Sequence, residues 1–334
     1  MIDHGRRRFG AAALAAAAAA WTGLRAPAAA GETAGTPPWQ PAKPIQLVVP
    51  WAPGTPADVA GRVVAQGMTL SLGQAVYVQN RPGADGTIGM GDVLRMPPDG
   101  YAIYALSSAS LVTPLLFPGQ HIDFDKNLMP VGLIDWNYNI LVVPQASPIH
   151  SVQELAAKSR SASLTYGSGG NGTPAHLAGV MFRKMAGGHM THVPYNEFSM
   201  SISDLLAGRI DCMFLTASAA LSFVRAGKLR ALAVTGAQRL KSLPQVPTMV
   251  QEGYPSFEFR TFDGMTVRPG TPAEIVSRLN AELNKALASP AAQAKFDDLG
   301  LGIETMTPAQ YGRTIASESA KWLGLGHEAH IRAD

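Results

Sequence analysis

Two stretches carry residue types and spacings from which a site can be built. The first, Val48–Met68, reads VVPWAPGTPADVAGRVVAQGM, an apolar run broken by Pro50, Pro53, Gly54 and Pro56 that resumes at helical spacing. The second, Tyr166–Gly179, reads YGSGGNGTPAHLAG and again takes a strand through a glycine-rich loop into a helix. Backbone N–H groups in the first turn of a helix have no partner inside it and lie at the positive end of its dipole, so both loops favour an anion. Either loop alone is compatible with catalysis, with a nucleotide cradle or with a small negative ligand at rest. Because they fall in different halves of the chain, two such loops facing each other across a cleft would clamp one anionic ligand from both sides.

Other chemistries find less support. Gly167-x-Gly169-x-x-Gly172 matches the dinucleotide fingerprint and keeps open an exported NAD(P)-dependent oxidoreductase. That fingerprint wants an acidic residue roughly 20 residues further on. THVPYNE offers His192 near that distance and Glu197 only beyond Pro194. Ser168 is not in a nucleophile elbow, because Tyr166 stands two residues before it, and no Gly-Lys-Ser/Thr forms a Walker loop. His176, His189 and His192 lack metal-ligand spacing, and HEAH near the C-terminus lacks that of a zinc protease, so no metal is expected. The single cysteine, Cys212 in RIDCMFL, reads as a buried strand thiol rather than a nucleophile. No catalysis and no cofactor are expected. His176 is set apart from the other histidines, because one turn into its helix it would point back at an anion. Trp51, in its glycine/proline loop, is either a packed aromatic or a cleft wall.

These loops need a scaffold. Apolar, β-branched-rich runs at 45–49, 75–80, 101–106, 140–143, 163–167, 191–193, 211–215 and 229–235 read as strands. Helical spacing lies between them at 58–70, 87–96, 152–158, 174–186, 200–207 and 219–226, the signature of a parallel sheet with crossover helices. Gly73, Gly187, Gly208 and Gly227 are placed as C-terminal caps. The C-terminal third turns helical, with Thr271–Pro272, Ser289–Pro290 and Thr307–Pro308 as helix starts. No internal repeat and no long linker is evident, so a second domain is expected to be inserted into the first. ILVVP (140–144) and LAVTGAQR (232–239) serve as crossing points, giving one lobe from 40–140 plus 238–334 and another from 141–237.

The chain has 334 residues, with 27 basic and 24 acidic side chains. Arg6–Arg8 precede an alanine run and a small-residue site at Ala28–Ala30, the layout of an export signal over residues 1–30 cleaved near Ala30. The adjacent arginines followed by Phe9 resemble a twin-arginine signal, although ordinary secretory signals also start with basic residues. Phe9–Leu24 is shorter than the ~20 residues of a membrane span, and no cysteine near the cleavage site allows lipidation. The first thirty residues hold four basic and one acidic side chain, so the remainder is balanced in charge, which argues against a nucleic-acid or anionic-lipid partner.

A family resemblance gathers these features. KPIQLVVPWAPG, LGQAVYVQNRPGADGTIG, PPDGY, YGSGGNGTPAHLAG, HVPY, DLLAGRIDCMF, AGKLRALAVTGAQR, LPQVPTMVQEGYP and RPGTP occur in order from Pro41 to Trp322. In these the chain resembles the Bug-type extracytoplasmic solute receptors of tripartite tricarboxylate transport systems. The resemblance implies an α/β, periplasmic-binding-protein type II-like Venus flytrap, with two α/β lobes joined by two crossover strands. It also implies a monomeric periplasmic protein that closes on a small carboxylate ligand and delivers it to permease subunits, or alternatively reports it to a sensor kinase. Carried over by position, the first clamp is Gly54 to Asp58 and the second Ser168 to Thr173, with His176 behind it. The expected ligand-binding set is Trp51, Gly54, Thr55, Ala57, Asp58, Ser107, Ser108, Ser168, Asn171, Gly172, Thr173, His176 and Asp263.

Departures from the family pattern bear on the ligand. Thr55-Pro56-Ala57 stands where relatives carry a glycine and small polar residues, and Pro56 removes an N–H while Thr55 adds a hydroxyl. Asn196, Glu197 and Phe198 follow HVPY in place of a basic residue and glycine, and Leu215 stands where an aspartate is common. TFDGM puts Asp263 in the place of an aromatic. A carboxylate of Glu197 or Asp263 in the cleft would favour a ligand with an amino or other cationic group. A place on the solvated rim would leave that choice open.

Overall fold

A computed structural model describes residues 39–331 of the chain; the expected export signal and its cleavage site lie outside the described residues. The aliphatic runs form β1 (Ile45–Val49), β2 (Val76–Asn80), β3 (Ala102–Ser107), β4 (Met129–Pro144), β5 (Leu164–Ser168), β6 (Met190–Pro194), β7 (Cys212–Thr216), β8 (Leu229–Val234), β9 (Arg260–Val267) and β10 (Leu301–Gly302). The helices are α1 (Pro56–Leu72), α2 (Thr87–Arg95), the single turns α3 (Thr113–Leu116) and α4 (Phe124–Asn127), α5 (Val152–Ser161), α6 (Pro174–Ala186), α7 (Phe198–Leu206), α8 (Ala217–Arg225), α9 (Ala273–Leu287), α10 (Pro290–Leu299) and α11 (Pro308–Glu328).

The strands join in the order β2-β1-β3-β9-β4-β7-β5-β6, with β8 and β10 also on β4. β1 lies parallel to β2 and β3, and β5 parallel to β6 and β7, as crossover helices require. Antiparallel β9 and β4 lie between these two parallel groups. β4, 16 residues long, pairs with β9 from Met129 to Tyr138 and with β7 and β8 from Asn139 onward. A single strand therefore belongs to both α/β lobes. The chain returns beside it: Thr235 N–H donates to the Asn139 carbonyl (2.9 Å), and Asn139 N–H donates to Thr235 Oγ1 (2.9 Å).

Alternation along β1 sends Ile45, Leu47 and Val49 against Ala60, Val64 and Met68 of α1 and Leu279 and Leu283 of α9, while Val48 faces Tyr104 and Val93. Burying each such aliphatic side chain stabilises the fold by about 1.5–3 kcal/mol. α1 and α9 touch closely because Gly67 has no side chain: a Cβ there would stand 2.7 Å from that of Ala286. In the other lobe Ile140 and Val142 pack with Met213, Leu215 and Leu221. Cys212 is buried in β7, and burial raises its thiol pKa well above the usual range.

Most expected elements form within a few residues of their sequence positions, and Gly73, Gly187, Gly208 and Gly227 all adopt positive φ. One helix start moves: the N-cap of α9 is Pro272 rather than Thr271. Besides the two-residue β10, two strand segments are additional to the sequence reading, Met129–Asn139 of β4 and the whole of β9. Asp135, Asn137 and Asn139 alternate in the first, and Asp263 and Gly264 interrupt the second, so neither reads as a simple apolar run. These two segments form the floor between the lobes.

Candidate functional site

The two loops picked out in the sequence share one local structure. Gly54-Thr55-Pro56-Ala57 and Gly172-Thr173-Pro174-Ala175 are the same tetrapeptide, a short repeat that the sequence reading did not identify. In each the glycine is left-handed (φ 83° and 79°), a conformation that side chains resist. Each threonine is an extended N-cap, and its hydroxyl turns away from the helix to donate to the carbonyl three residues earlier, Ala52 (2.8 Å) and Gly170 (2.7 Å). The third helical residue reaches back to the glycine: Gly54 N–H donates to Asp58 Oδ2 (2.9 Å) and Gly172 N–H to His176 Nδ1 (3.1 Å). The first helical backbone bonds run from Val59 to Thr55 and from Leu177 to Thr173. Pro56 and Pro174 have no N–H. The amides of Ala57, Asp58, Ala175 and His176 are thus left for a ligand at two helix N-termini.

These N-termini open on one cavity of about 240 Å³ between the lobes. Trp51, Thr55, Pro56, Ala57, Asp85, Ser107, Ala109, Val112 and Leu116 line one side, and Asn171, Gly172, Thr173, Pro174 and Thr216 the other. Asn137 on β4 with Thr261 and Asp263 on β9 form the floor. The sides touch at Gly172, where a Cβ would stand 3.3 Å from Val112 and 3.7 Å from Leu116.

Of the residues expected from sequence, Trp51, Thr55, Ala57, Ser107, Asn171, Gly172, Thr173 and Asp263 line this cavity. Gly54, Asp58, Ser108, Ser168 and His176 are not among its lining residues. Gly54 and Asp58 are spent on the loop itself. Asp58 is buried and accepts from Arg62 Nε (3.1 Å) and Asn80 Nδ2 (2.8 Å) as well as from Gly54. Burial alone would raise its pKa, but these donors together hold the carboxyl below its ordinary range. Asn80 also donates to the Trp51 carbonyl (2.9 Å), holding the main chain at that residue. Ser108 Oγ accepts from Phe262 N–H (2.9 Å), tying β9 to the segment after β3.

Ser168 and His176 belong to a separate cluster. Ser168 is fully buried and its hydroxyl lies 2.6 Å from His192 Nε2, while the His192 and His176 rings stack at 3.8 Å with Tyr166 beyond. His176 and His192 line their own depression of about 280 Å³ with Arg183 and Ile331. Burial, then the neighbouring His192 and Arg183, depress His176 to about 3; burial and Arg183 depress His192 to about 4. Both rings are therefore neutral near pH 7, and His176 serves as a hydrogen-bond acceptor inside its loop rather than as a cation aimed at an anion. Glu197 is exposed at the N-cap of α7, away from the cavity.

Asp85, Asn137, Thr216 and Thr261, with the apolar Val112 and Leu116, are cavity residues absent from the sequence-based set. Asn137 and Asp135, and likewise Thr261 and Asp263, are two apart. That polar alternation on strands is the signal that marks one face of a floor. Asp263 stands in register with Ser107 of β3 and with Asp135 of β4. Asp135 is fully buried and neither of its oxygens has a partner; Asp263 is 5% exposed and its Oδ1 has none. Burial raises both carboxyls; the charge of Asp263 raises Asp135 further, and for Asp263 a hydrogen bond from Ser107 only partly offsets the rise. Among the described residues no Lys, Arg or His lines the cavity; its charged lining residues there are Asp85 and Asp263.

The family model for the tripartite tricarboxylate transporter family receptor matches residues 60–330. BugT of Bordetella pertussis is 34% identical over 292 residues, covering 86% of this chain and 90% of BugT. Among solved structures, that of R. palustris Rpa4515 with adipate is similar at TM-score 0.78 and 29% identity, over 88% of this chain and 99% of the other. MatC from Rhodopseudomonas palustris with bound malate is similar at TM-score 0.73 and 26% identity, over 86% and 99%.

Proposed function

The chain belongs to the tripartite tricarboxylate transporter family of receptors, and from that premise we propose that it captures a small carboxylate-bearing solute between its lobes and delivers it to a membrane permease of that transport class. The observation that carries this reading is the pair of matching helix N-termini, α1 and α6, whose unpaired amides meet at one cavity. A carboxylate between them gains charge-assisted hydrogen bonds without any cationic side chain. Adipate and malate in two similar proteins support the same chemistry. The periplasm is the proposed compartment, since receptors of this family act there. No helix among the described residues is long and apolar enough to cross a membrane.

Closure and release are assigned to the two crossing segments, with 141–237 as the lobe that moves against 40–140 plus 238–334. The Asn139–Thr235 pair lies where β4 changes partners and is the proposed hinge. Binding requires no bond making, so no catalytic residue is assigned. The test is a thermal-shift screen of mono- and dicarboxylates, aromatic acids and amino acids. A ligand at 100 times its Kd stabilises the native state by about 2.7 kcal/mol, which a melting curve resolves. Absence of a shift with every acid, together with tight NAD(P) binding, would replace this reading with that of an exported oxidoreductase.

A further inference from the structure

The cleft has one feature that a plain anion site lacks. Among the described residues its charged lining residues are both acidic, and the more deeply placed one, Asp263, is 5% exposed with an oxygen that has no partner. Asn137, 3% exposed, lies on the same floor, and its Oδ1 is likewise unpartnered. Behind Asp263, and in register with it, Asp135 is buried with both oxygens unpaired. Leaving a carboxylate desolvated without a donor is costly, and a second carboxylate beside it adds repulsion. Asp85 adds a further acid to the same cavity. An anionic group at this end would compound the problem, whereas a cationic N–H donor would relieve it.

We propose that the floor at Asp263 and Asn137, with Asp85 on the adjoining wall, is a subsite for an ammonium group, so that the preferred ligand is a zwitterion whose carboxylate rests at the N-termini of α1 and α6. This deepens the carboxylate-receptor reading and rests on it. The apolar lining of the cavity includes Trp51, Val112 and Leu116, so the body joining the two charges is apolar. The competing arrangement is a protonated Asp263 that donates a hydrogen bond to a second ligand carboxylate. The two arrangements respond oppositely to one substitution. Asp263→Asn keeps a donor of the same shape for a carboxylate but removes the charge that an ammonium needs.

The experiment is calorimetric titration of dialysed protein with matched pairs: succinate and aspartate, butyrate and γ-aminobutyrate, hydrocinnamate and phenylalanine. Butylamine and phenethylamine serve as carboxylate-free probes. In at least one pair the amino member is expected to bind about tenfold or more tightly than its partner, the scale of a hydrogen bond to a charged group. Asp263→Asn should erase that preference, and Asp85→Asn should reduce it. Relief of the buried repulsion leaves Asp263→Asn at least as stable to heat as the parent, so a lost preference reports on the ligand and not on unfolding. Carboxylates binding better than their amino partners, or a preference unchanged in Asp263→Asn, would overturn the ammonium subsite and leave the carboxylate receptor standing. Amines binding with no carboxylate required would overturn the receptor reading and leave the subsite. No binding in any pair would overturn both.

Discussion

Asp58 and His176 hold equivalent positions in two loops of identical tetrapeptide sequence: each is the third residue of its helix and accepts the N–H of the glycine four residues before it, at 2.9 and 3.1 Å. An acid and a neutral imidazole do the same work because the requirement is an acceptor, not a charge. What surrounds them differs. Asp58 has Arg62 and Asn80 as further donors, while His176 is stacked on His192.

Asp58→Ala removes the buried acceptor shared by Gly54, Arg62 and Asn80 and leaves the Gly54 loop without its closure. Equilibrium urea unfolding should show a loss of about 1–3 kcal/mol. Asp58→Asn, which keeps an acceptor oxygen, should lose less. Equal losses would mean that the charge matters and the loop bond does not.

The two stacked histidines make stability fall on acidification. Their pKa values are depressed in the folded protein, to about 3 for His176 and about 4 for His192, against about 6.5 in an unfolded chain. Between those values the unfolded state binds more protons, so stability is complete above pH 6.5 and declines as the pH drops towards 4. Melting temperature measured across that range should decline less for a His192→Phe variant than for the parent. A parallel decline in both proteins would refute this assignment.

Gly179 of α6 lies on the Tyr166 ring, where a Cβ would stand 2.1 Å from Cε2. Gly179→Ala should destabilise by about 1–3 kcal/mol through overpacking. Gly324, exposed towards the C-terminal end of α11 with nothing within 4 Å of a Cβ, is the control. Gly324→Ala should stabilise by about 0.4–1 kcal/mol through the unfolded chain. Chemical denaturation of the pair distinguishes packing from backbone entropy.

Thr235→Val removes the acceptor of Asn139 N–H where β4 changes partners. Leaving that buried donor unpaired should cost about 1–3 kcal/mol. If the segment is the hinge, small-angle scattering should also show a larger change on adding ligand in the variant, or a weaker affinity with an unchanged cavity. A stability loss with neither effect would place the hinge elsewhere.

The sequence by itself determined the class of fold and the two loops. Apolar runs bounded by Gly and Pro specify strands, Gly-Thr-Pro-Ala specifies a left-handed residue followed by a helix start, and both are decided by a few consecutive residues. It did not distinguish Asp58 and His176, which close their loops, from Thr55, Ala57, Asn171 and Thr173, which line the cavity. That depends on which way each side chain turns once its helix is packed. The floor was hidden for a related reason. Asp135 and Asp263 are 128 positions apart, and each interrupts the apolar run by which a strand is recognised. Only the antiparallel pairing of β4 with β9 brings them side by side, and only burial beneath both lobes leaves both oxygens of Asp135 and Oδ1 of Asp263 without a partner.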